Sequence, residues 1–235
     1  MNEQRAGSDA VAEEQAASST TTIRKSKRKV DEQSLTLARS LLSNRRLHGN
    51  PAVGFTSCNA GEGVSTIVAN VACAAATICE EPVLIIDANP KQPAIHKRFR
   101  SQQGPGWFDI LDGSENPKDC IQATEIENLF VLTIGNSRGR SSKSFNVEMV
   151  AQLIAQVKNR FGLIVLDLPT ATDKSEAFSL AGELDGVVLV VEAERVRNKV
   201  AQRIKDLLER SGANVVGAVL NKRQEYIPNW LYSRL

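Results

Sequence analysis

The residues of this chain that could act on a phosphate stand in three places. The first is the run Gly61-Glu62-Gly63-Val64-Ser65-Thr66, where glycines precede two hydroxyls. Gly61 and Gly63 free the backbone to turn successive N–H groups toward one point. A helix beginning near Ser65 would aim the positive end of its dipole at the same point. Such a cradle suits an anion, and the Ser65 hydroxyl suits a Mg²⁺ shell. The other two places are single carboxylates, Asp87 and Asp167, each closing an uninterrupted apolar run, 83–86 and 163–166. A carboxylate at the carboxyl end of a buried parallel strand stands where open α/β sheets bind ligands. Asp87 and Asp167 are therefore candidate site residues at that edge, beside the hydroxyl of Ser65.

Positioning these groups requires strands alternating with helices. A helix is expected from Asp31 to about His48, with Leu35, Leu37, Leu41, Leu42 and Leu47 as its apolar positions and Gly49-Asn50-Pro51 as its stop. A β-rich run from Val53 enters the glycine loop, and an Ala-rich helix follows to about Cys79. Trp107, Phe108, Ile110 and Leu111 read as core packing. Leu129–Ile134 reads as a strand that opens into a basic loop with Arg138, Arg140 and Lys143. Asn146 is the expected N-cap of a helix with Val150, Ile154, Val157 and Phe161 on its apolar face. After Asp167 the pattern gives a helix near Ser175–Gly182, a strand 186–191, a helix 198–211 closed by Gly212 and a strand 215–220.

Composition sets outer limits. A chain of 235 residues with 42% hydrophobic content supports one α/β domain with a real core. A net charge of +2 predicts neither nucleic-acid coating nor membrane adhesion. The longest apolar stretch, Ile67 to Ile78, is too short to span a bilayer, and the polar N-terminus carries no signal-peptide core. The expectation is a soluble, cytoplasmic protein. Its cysteines, Cys58, Cys73, Cys79 and Cys120, show no zinc spacing and read as small core residues, a redox role for Cys58 being the sharper alternative. Residues 1–30 are too poor in large apolar groups to order themselves, and the run Arg24-Lys25-Ser26-Lys27-Arg28-Lys29 reads as a solvated linker.

The string Thr56-Ser57-Cys58-Asn59-Ala60-Gly61-Glu62-Gly63-Val64-Ser65-Thr66 resembles the loop T-S-x-x-P-G-E-G-K-S-T of the bacterial tyrosine kinases (BY-kinases) and their polysaccharide-export relatives. These belong to the deviant-Walker, MinD/ParA-like ATPases. Ala60 stands at the family's proline and Val64 at its lysine. The segment 83–93 resembles D-x-D-x-R-x-P, with Asp87 at the first aspartate and Asn89 and Lys91 at the second aspartate and the arginine. The segment 163–169 resembles the family's Walker B strand, ending at Asp167. The resemblance covers residues 31–235 and implies a three-layer P-loop NTPase fold, a mostly parallel central sheet with helices on both faces. It divides the chain into an N-terminal segment 1–30, a domain 31–221 and a tail 222–235. It assigns Gly61, Glu62, Gly63, Val64, Ser65 and Thr66 to ATP binding, Ser65, Asp87 and Asp167 to the Mg²⁺ site, and the two aspartates to catalysis. It makes Asn221 the candidate adenine contact, a strand-end turn residue being the plainer alternative.

The departures shape the functional expectation. A lysine on terminal phosphates makes charge-assisted hydrogen bonds of roughly 1.5–3 kcal/mol, so Val64 predicts about a 10- to 150-fold loss in nucleotide affinity. Loss of a preorganised donor in the transition state costs on the order of 100- to 1,000-fold in rate. The leading expectation is a catalytically impaired regulatory subunit of exopolysaccharide or capsule assembly with weak or vestigial ATP binding. Its implied partner is a membrane-embedded co-polymerase and chain-length regulator, or a related kinase subunit, which would hold it at the inner membrane. Neither nucleic acid nor a membrane span of its own is expected. The family's packing motif E-x-x-R-x-x-R is represented by Gln33, Thr36 and Arg39, so homo-oligomerisation stays open. The alternatives are an active kinase or ATPase with a substitute cation (Lys91, Arg138, Arg140 or Lys143), and a MinD/ParA-like positioning ATPase. The tail resembles Y-I-P-x-W-L-Y-x-x-L and holds only Tyr226 and Tyr232 as phosphorylation candidates.

Overall fold

The computed structural model of the protein describes residues 30–44, 46–47, 49–102, 104–135, 147–171 and 176–223. In chain order the elements are α1 (Glu32–Leu42), β1 (Ala52–Ser57), α2 (Val64–Ala76), β2 (Val83–Asp87), α3 (Ile95–Phe99), α4 (Trp107–Leu111), α5 (Pro117–Cys120), β3 (Ile121–Ala123), β4 (Leu129–Leu132), α6 (Val147–Lys158), β5 (Leu163–Asp167), α7 (Glu176–Gly182), β6 (Gly186–Glu192), α8 (Asn198–Arg210) and β7 (Val215–Asn221). The basic run 24–29, Arg138, Arg140, Lys143, Asn146 and the tail from Gln224 with Tyr226 and Tyr232 lie outside the described residues.

The strands form one sheet in the order β3-β4-β2-β5-β1-β6-β7. All neighbours run parallel except β3 and β4. The sequence dictates this layering directly. β1, β2 and β5 are buried along their whole length, as continuous apolar runs must be when helices cover both faces. Side-chain alternation then divides each strand. Val83 and Ile85 join a cluster with residues of α1, α2 and α3, whereas Leu84 and Ile86 join the opposite cluster with residues of α4, α6 and α7. The expected mostly parallel sheet with helices on both faces is the observed one.

Two packing features bear on the site. At Gly54 in the centre of β1, a Cβ would lie 2.6 Å from methyl carbons of both Leu168 and Leu184, so a larger residue would have to push those leucine side chains aside. Helix α2 is packed against both the sheet and α1, which explains its Ala-rich sequence: Ala69, Ala72, Ala74 and Ala75 are fully buried.

Several elements differ from the sequence expectation: α2 stops at Ala76 instead of about Cys79, and the short helices α3, α4 and α5 are additions. Helix α1 stops at Leu42 instead of continuing to His48. The Ser43 backbone N–H and hydroxyl both donate to the Arg39 carbonyl, at 2.9 and 2.8 Å, and close the last turn. Strand β4 ends at Leu132 instead of Ile134, because the carbonyls of Thr133 and Ile134 accept from Trp107 and Phe108 at the start of α4. The antiparallel edge strand β3 is an addition to the expected elements, being three residues long and too short to show a period.

Candidate functional site

The loop between β1 and α2 is a turn held open by its own glutamate. Glu62 is fully buried and accepts hydrogen bonds from the Cys58 N–H at 3.2 Å and the Asn59 side-chain amide at 2.7 Å. Gly61 and Gly63 have φ of 83° and 93°, left-handed values that cost L-residues strain. Gly63 is the N-cap of α2, and its carbonyl accepts from Thr66 and Ile67 at 3.0 and 3.1 Å. The first-turn N–H groups of α2 thus stand at the glycine loop, the arrangement that binds anions. Cys58 is buried, and burial followed by the Glu62 charge pushes its thiol up to about 11. That removes the thiolate needed for the redox alternative.

The far end of the sheet ties this loop down. Asn221, the last residue of β7, donates its side-chain amide to the Glu62 carbonyl at 2.8 Å. A Cβ on Gly63 would sit 2.3 Å from that amide nitrogen, so a side chain here would displace Asn221 from the Glu62 carbonyl besides straining the backbone at its positive φ. Lys222, itself at positive φ, donates to the Gly61 carbonyl at 2.7 Å and pairs with Glu192 at 3.2 Å. Asn221, the expected base contact, is thus engaged with the loop backbone.

Val64 occupies the lysine position, and its side chain is 9% exposed within the apolar cluster beneath α2. Ser65 is partly accessible and Thr66 is exposed on the first turn. The two aspartates meet as the sequence requires: β2 and β5 are neighbours in a register that pairs Asp87 with Asp167. Both are fully buried. Asp87 is engaged by its own loop, accepting from Asn89 N–H at 3.3 Å, Ala94 N–H at 3.0 Å and Ile95 N–H at 3.1 Å. Burial lifts its pKa to about 6, against the pull of those N–H groups. Neither oxygen of Asp167 has a hydrogen-bond partner of good geometry. Burial lifts it to about 7, and the Asp87 charge adds to this. The nearby Ser65 hydroxyl and the Arg98 charge favour the ionised form.

Asn89 uses its side-chain oxygen locally, accepting from Gln92 N–H at 3.3 Å. Arg98, on α3, reaches back across 32 residues of sequence and donates to the Thr66 hydroxyl. An open cleft of about 1260 Å³ adjoins Ser65, with Lys91, His96 and Lys97 on one wall and Asp109 and Thr133 on another. Sequence reasoning missed Arg98 and Lys222. The strand-exit pair Asn221-Lys222 was a usable clue to the latter. Arg98 gave none, because one arginine in a basic helix reads as surface charge.

A glycine cradle at the exit of β1, with an aspartate ending the adjacent strand β5 and another ending β2 beside it, defines a P-loop NTPase-type protein of the MinD and BY-kinase kind. The family model described as "Cellulose biosynthesis protein BcsQ" matches residues 51–207. The chain belongs to this family of P-loop proteins. It is 30% identical over 168 residues to a putative tyrosine-protein kinase, CapB, of Staphylococcus aureus, covering 72% of this chain and 73% of that one. It resembles the crystal structure of the VpsO kinase domain at 30% identity and a TM-score of 0.69, over 82% of this chain and 97% of the other. In fold alone it resembles the septum site-determining protein MinD complexed with Mg-ADP from Pyrococcus horikoshii, at 20% identity and a TM-score of 0.64, over 78% and 76% of the two chains.

The residues present fit a magnesium nucleotide in part. Two buried, unpartnered carboxylate oxygens on Asp167 are costly unless something binds them, and a cation held jointly with the Ser65 hydroxyl would satisfy them. Among the described residues no cluster of three or more His, Cys, Asp or Glu could hold a metal alone, so phosphate and water oxygens would complete the shell. Mg-ATP would supply the transferable phosphoryl group. The chain's own contribution would be the first-turn N–H groups of α2, to bind, and Asp167, to orient. What does not fit is Val64, an apolar side chain where charge should be neutralised.

Proposed function

We propose that this chain is a catalytically impaired, BY-kinase-like regulatory subunit of bacterial exopolysaccharide or capsule assembly, one that binds ATP weakly and transfers phosphate poorly. The observation that carries the reading is Val64, packed into the core at the position where its tyrosine-kinase relatives' motif has a lysine. Asn89 supports it: an amide stands where the motif has a second carboxylate, and its oxygen is committed to Gln92. The cradle, Ser65 and Asp167 are intact, so the fold keeps the means to hold a phosphate. The domain 31–221 carries this site, with 1–30 and 222–235 as appendages. A membrane-embedded co-polymerase or an active kinase subunit is the proposed partner, through which a cytoplasmic chain would sit at the inner membrane. Among the described residues no helix is long and apolar enough to cross a membrane.

The test is a titration with a fluorescent ATP analogue and Mg²⁺, paired with a phosphate-release assay, on the wild type and Val64→Lys. Weak wild-type binding, stronger binding in the variant and negligible turnover in both are expected. Ready wild-type turnover would refute the impaired reading. It would favour instead an active kinase using Lys91, which lines the cleft beside Ser65. Phosphotyrosine mapping at Tyr226 and Tyr232 separates the two.

A further inference from the structure

We propose that Arg98 is the cation this chain presents to nucleotide phosphates in place of the missing loop lysine, approaching from α3 over the exposed side of the first turn of α2. The inference rests on the reading that this site binds ATP. Its basis is a contact the sequence does not announce: the Arg98 guanidinium donates to the hydroxyl of Thr66, the residue after Ser65 in the loop motif.

The position is built. Asp87 accepts the N–H groups of Ala94 and Ile95, which fixes the start of α3 at the carboxyl edge of β2. Ile95 and Phe99 anchor the same helix in the core below α2. Between these anchors Arg98 is half-buried, with its guanidinium at the Thr66 hydroxyl. Its charge also reaches Asp167, whose ionised form it favours. Val64, by contrast, lies under the helix and presents only methyl groups. A guanidinium offers five donors in a planar fork, and the Thr66 contact uses one of its nitrogens. The fork suits phosphate oxygens better than a lysine ammonium does.

Other basic residues stand near the site, Lys97 and His96 on the cleft wall among them, and Lys222 and Lys91 are less suited than Arg98. Lys222 is engaged with the Gly61 carbonyl and Glu192, on the β7 side of the loop. Lys91 is exposed on the wall of the cleft, in the turn before α3. A residue that donates to the second hydroxyl of the motif needs no rearrangement of the backbone to meet a phosphate there.

The test uses the full chain and a fluorescent ATP analogue with Mg²⁺, comparing the wild type with Arg98→Ala, Arg98→Gln, Lys91→Ala and Arg98→Ala combined with Val64→Lys. Arg98→Ala is expected to weaken binding by about 10- to 150-fold, the range for losing a charge-assisted phosphate contact. Arg98→Gln keeps a donor for Thr66 but not the charge, and should lose nearly as much. Lys91→Ala should change affinity by less than about threefold, as for an exposed charge. Val64→Lys should recover most of the loss. Urea midpoints check that each variant is folded, and Arg98→Gln serves if the alanine variant is not. Unchanged affinity in both Arg98 variants overturns the assignment and leaves weak ATP binding standing. Tighter binding in Arg98→Ala also overturns it, since the arginine would then block the site. If the wild type binds nothing at millimolar analogue, the ATP reading falls and this inference with it. If the wild type turns over readily and Arg98→Ala loses binding, the impaired reading falls and Arg98 stands.

Discussion

Asp87 and Asp167 end adjacent strands in direct register, are equally buried and look alike in sequence, yet they do opposite work. Asp87 is engaged by three backbone N–H groups and serves as the clasp that starts α3. Asp167 has no backbone donor, only the Ser65 hydroxyl nearby. The difference comes from the residues after each strand. Beyond β2 the chain turns back at Pro90 and Pro93 and presents its amides to the carboxylate, whereas β5 leads into Leu168 and Pro169, which run on beneath β1. One aspartate stabilises the scaffold, and the other is held at a cost that a bound cation would offset.

The largest test of this contrast is Asp167→Asn. A group held near pH 7 in the fold and at its ordinary value of 3.8 when unfolded binds more protons folded than unfolded between those values. Its contribution is full below pH 3.8 and is lost as pH rises through 7. Above pH 7, without metal, the asparagine variant should therefore be more stable by on the order of 2–4 kcal/mol, and the gap should close toward pH 4. Urea denaturation across that range measures it, and a pH-independent gap would show that the carboxylate is not the strained group. Asp87→Ala should move stability the other way, by about 2–3 kcal/mol, because it strands the amides of Asn89, Ala94 and Ile95. If both variants shift stability in the same direction, the contrast is broken.

Smaller effects sharpen it. Asn221→Ala removes the amide that holds the Glu62 carbonyl and should cost about 1 kcal/mol, with faster hydrogen exchange confined to residues 58–65. Lys222→Ala breaks an exposed contact to the same loop and should leave the urea midpoint unchanged within error. A large loss there would mean that the loop is held from the β7 side more than from within.

Much of the scaffold was legible because its causes are local. Continuous apolar runs demand strands covered on both faces, so β2 and β5 and the aspartates at their exits could be placed from the runs themselves. The glycine loop was legible from Gly61, Gly63 and Ser65, whose types have few other uses in that order. The end of α1 was not legible because Leu47, a buried residue on the next turn, extends the helical apolar pattern past the hydroxyl that closes the helix. Strand β3 is paired by geometry at the sheet edge and carries no period of its own.

The sequence by itself determined that a phosphate cradle exists here, that its lysine is gone and that two carboxylates lie at its rim, since motif spacing and strand burial are properties of neighbouring residues. Only the tertiary structure decided which carboxylate lacks backbone donors, that Asn221 and Lys222 clamp the loop, and that Arg98 reaches Thr66 from another helix. Those are contacts between segments from 32 to about 160 residues apart. Hydrogen bonds and charge act through distance in space, which a linear order of residues does not contain.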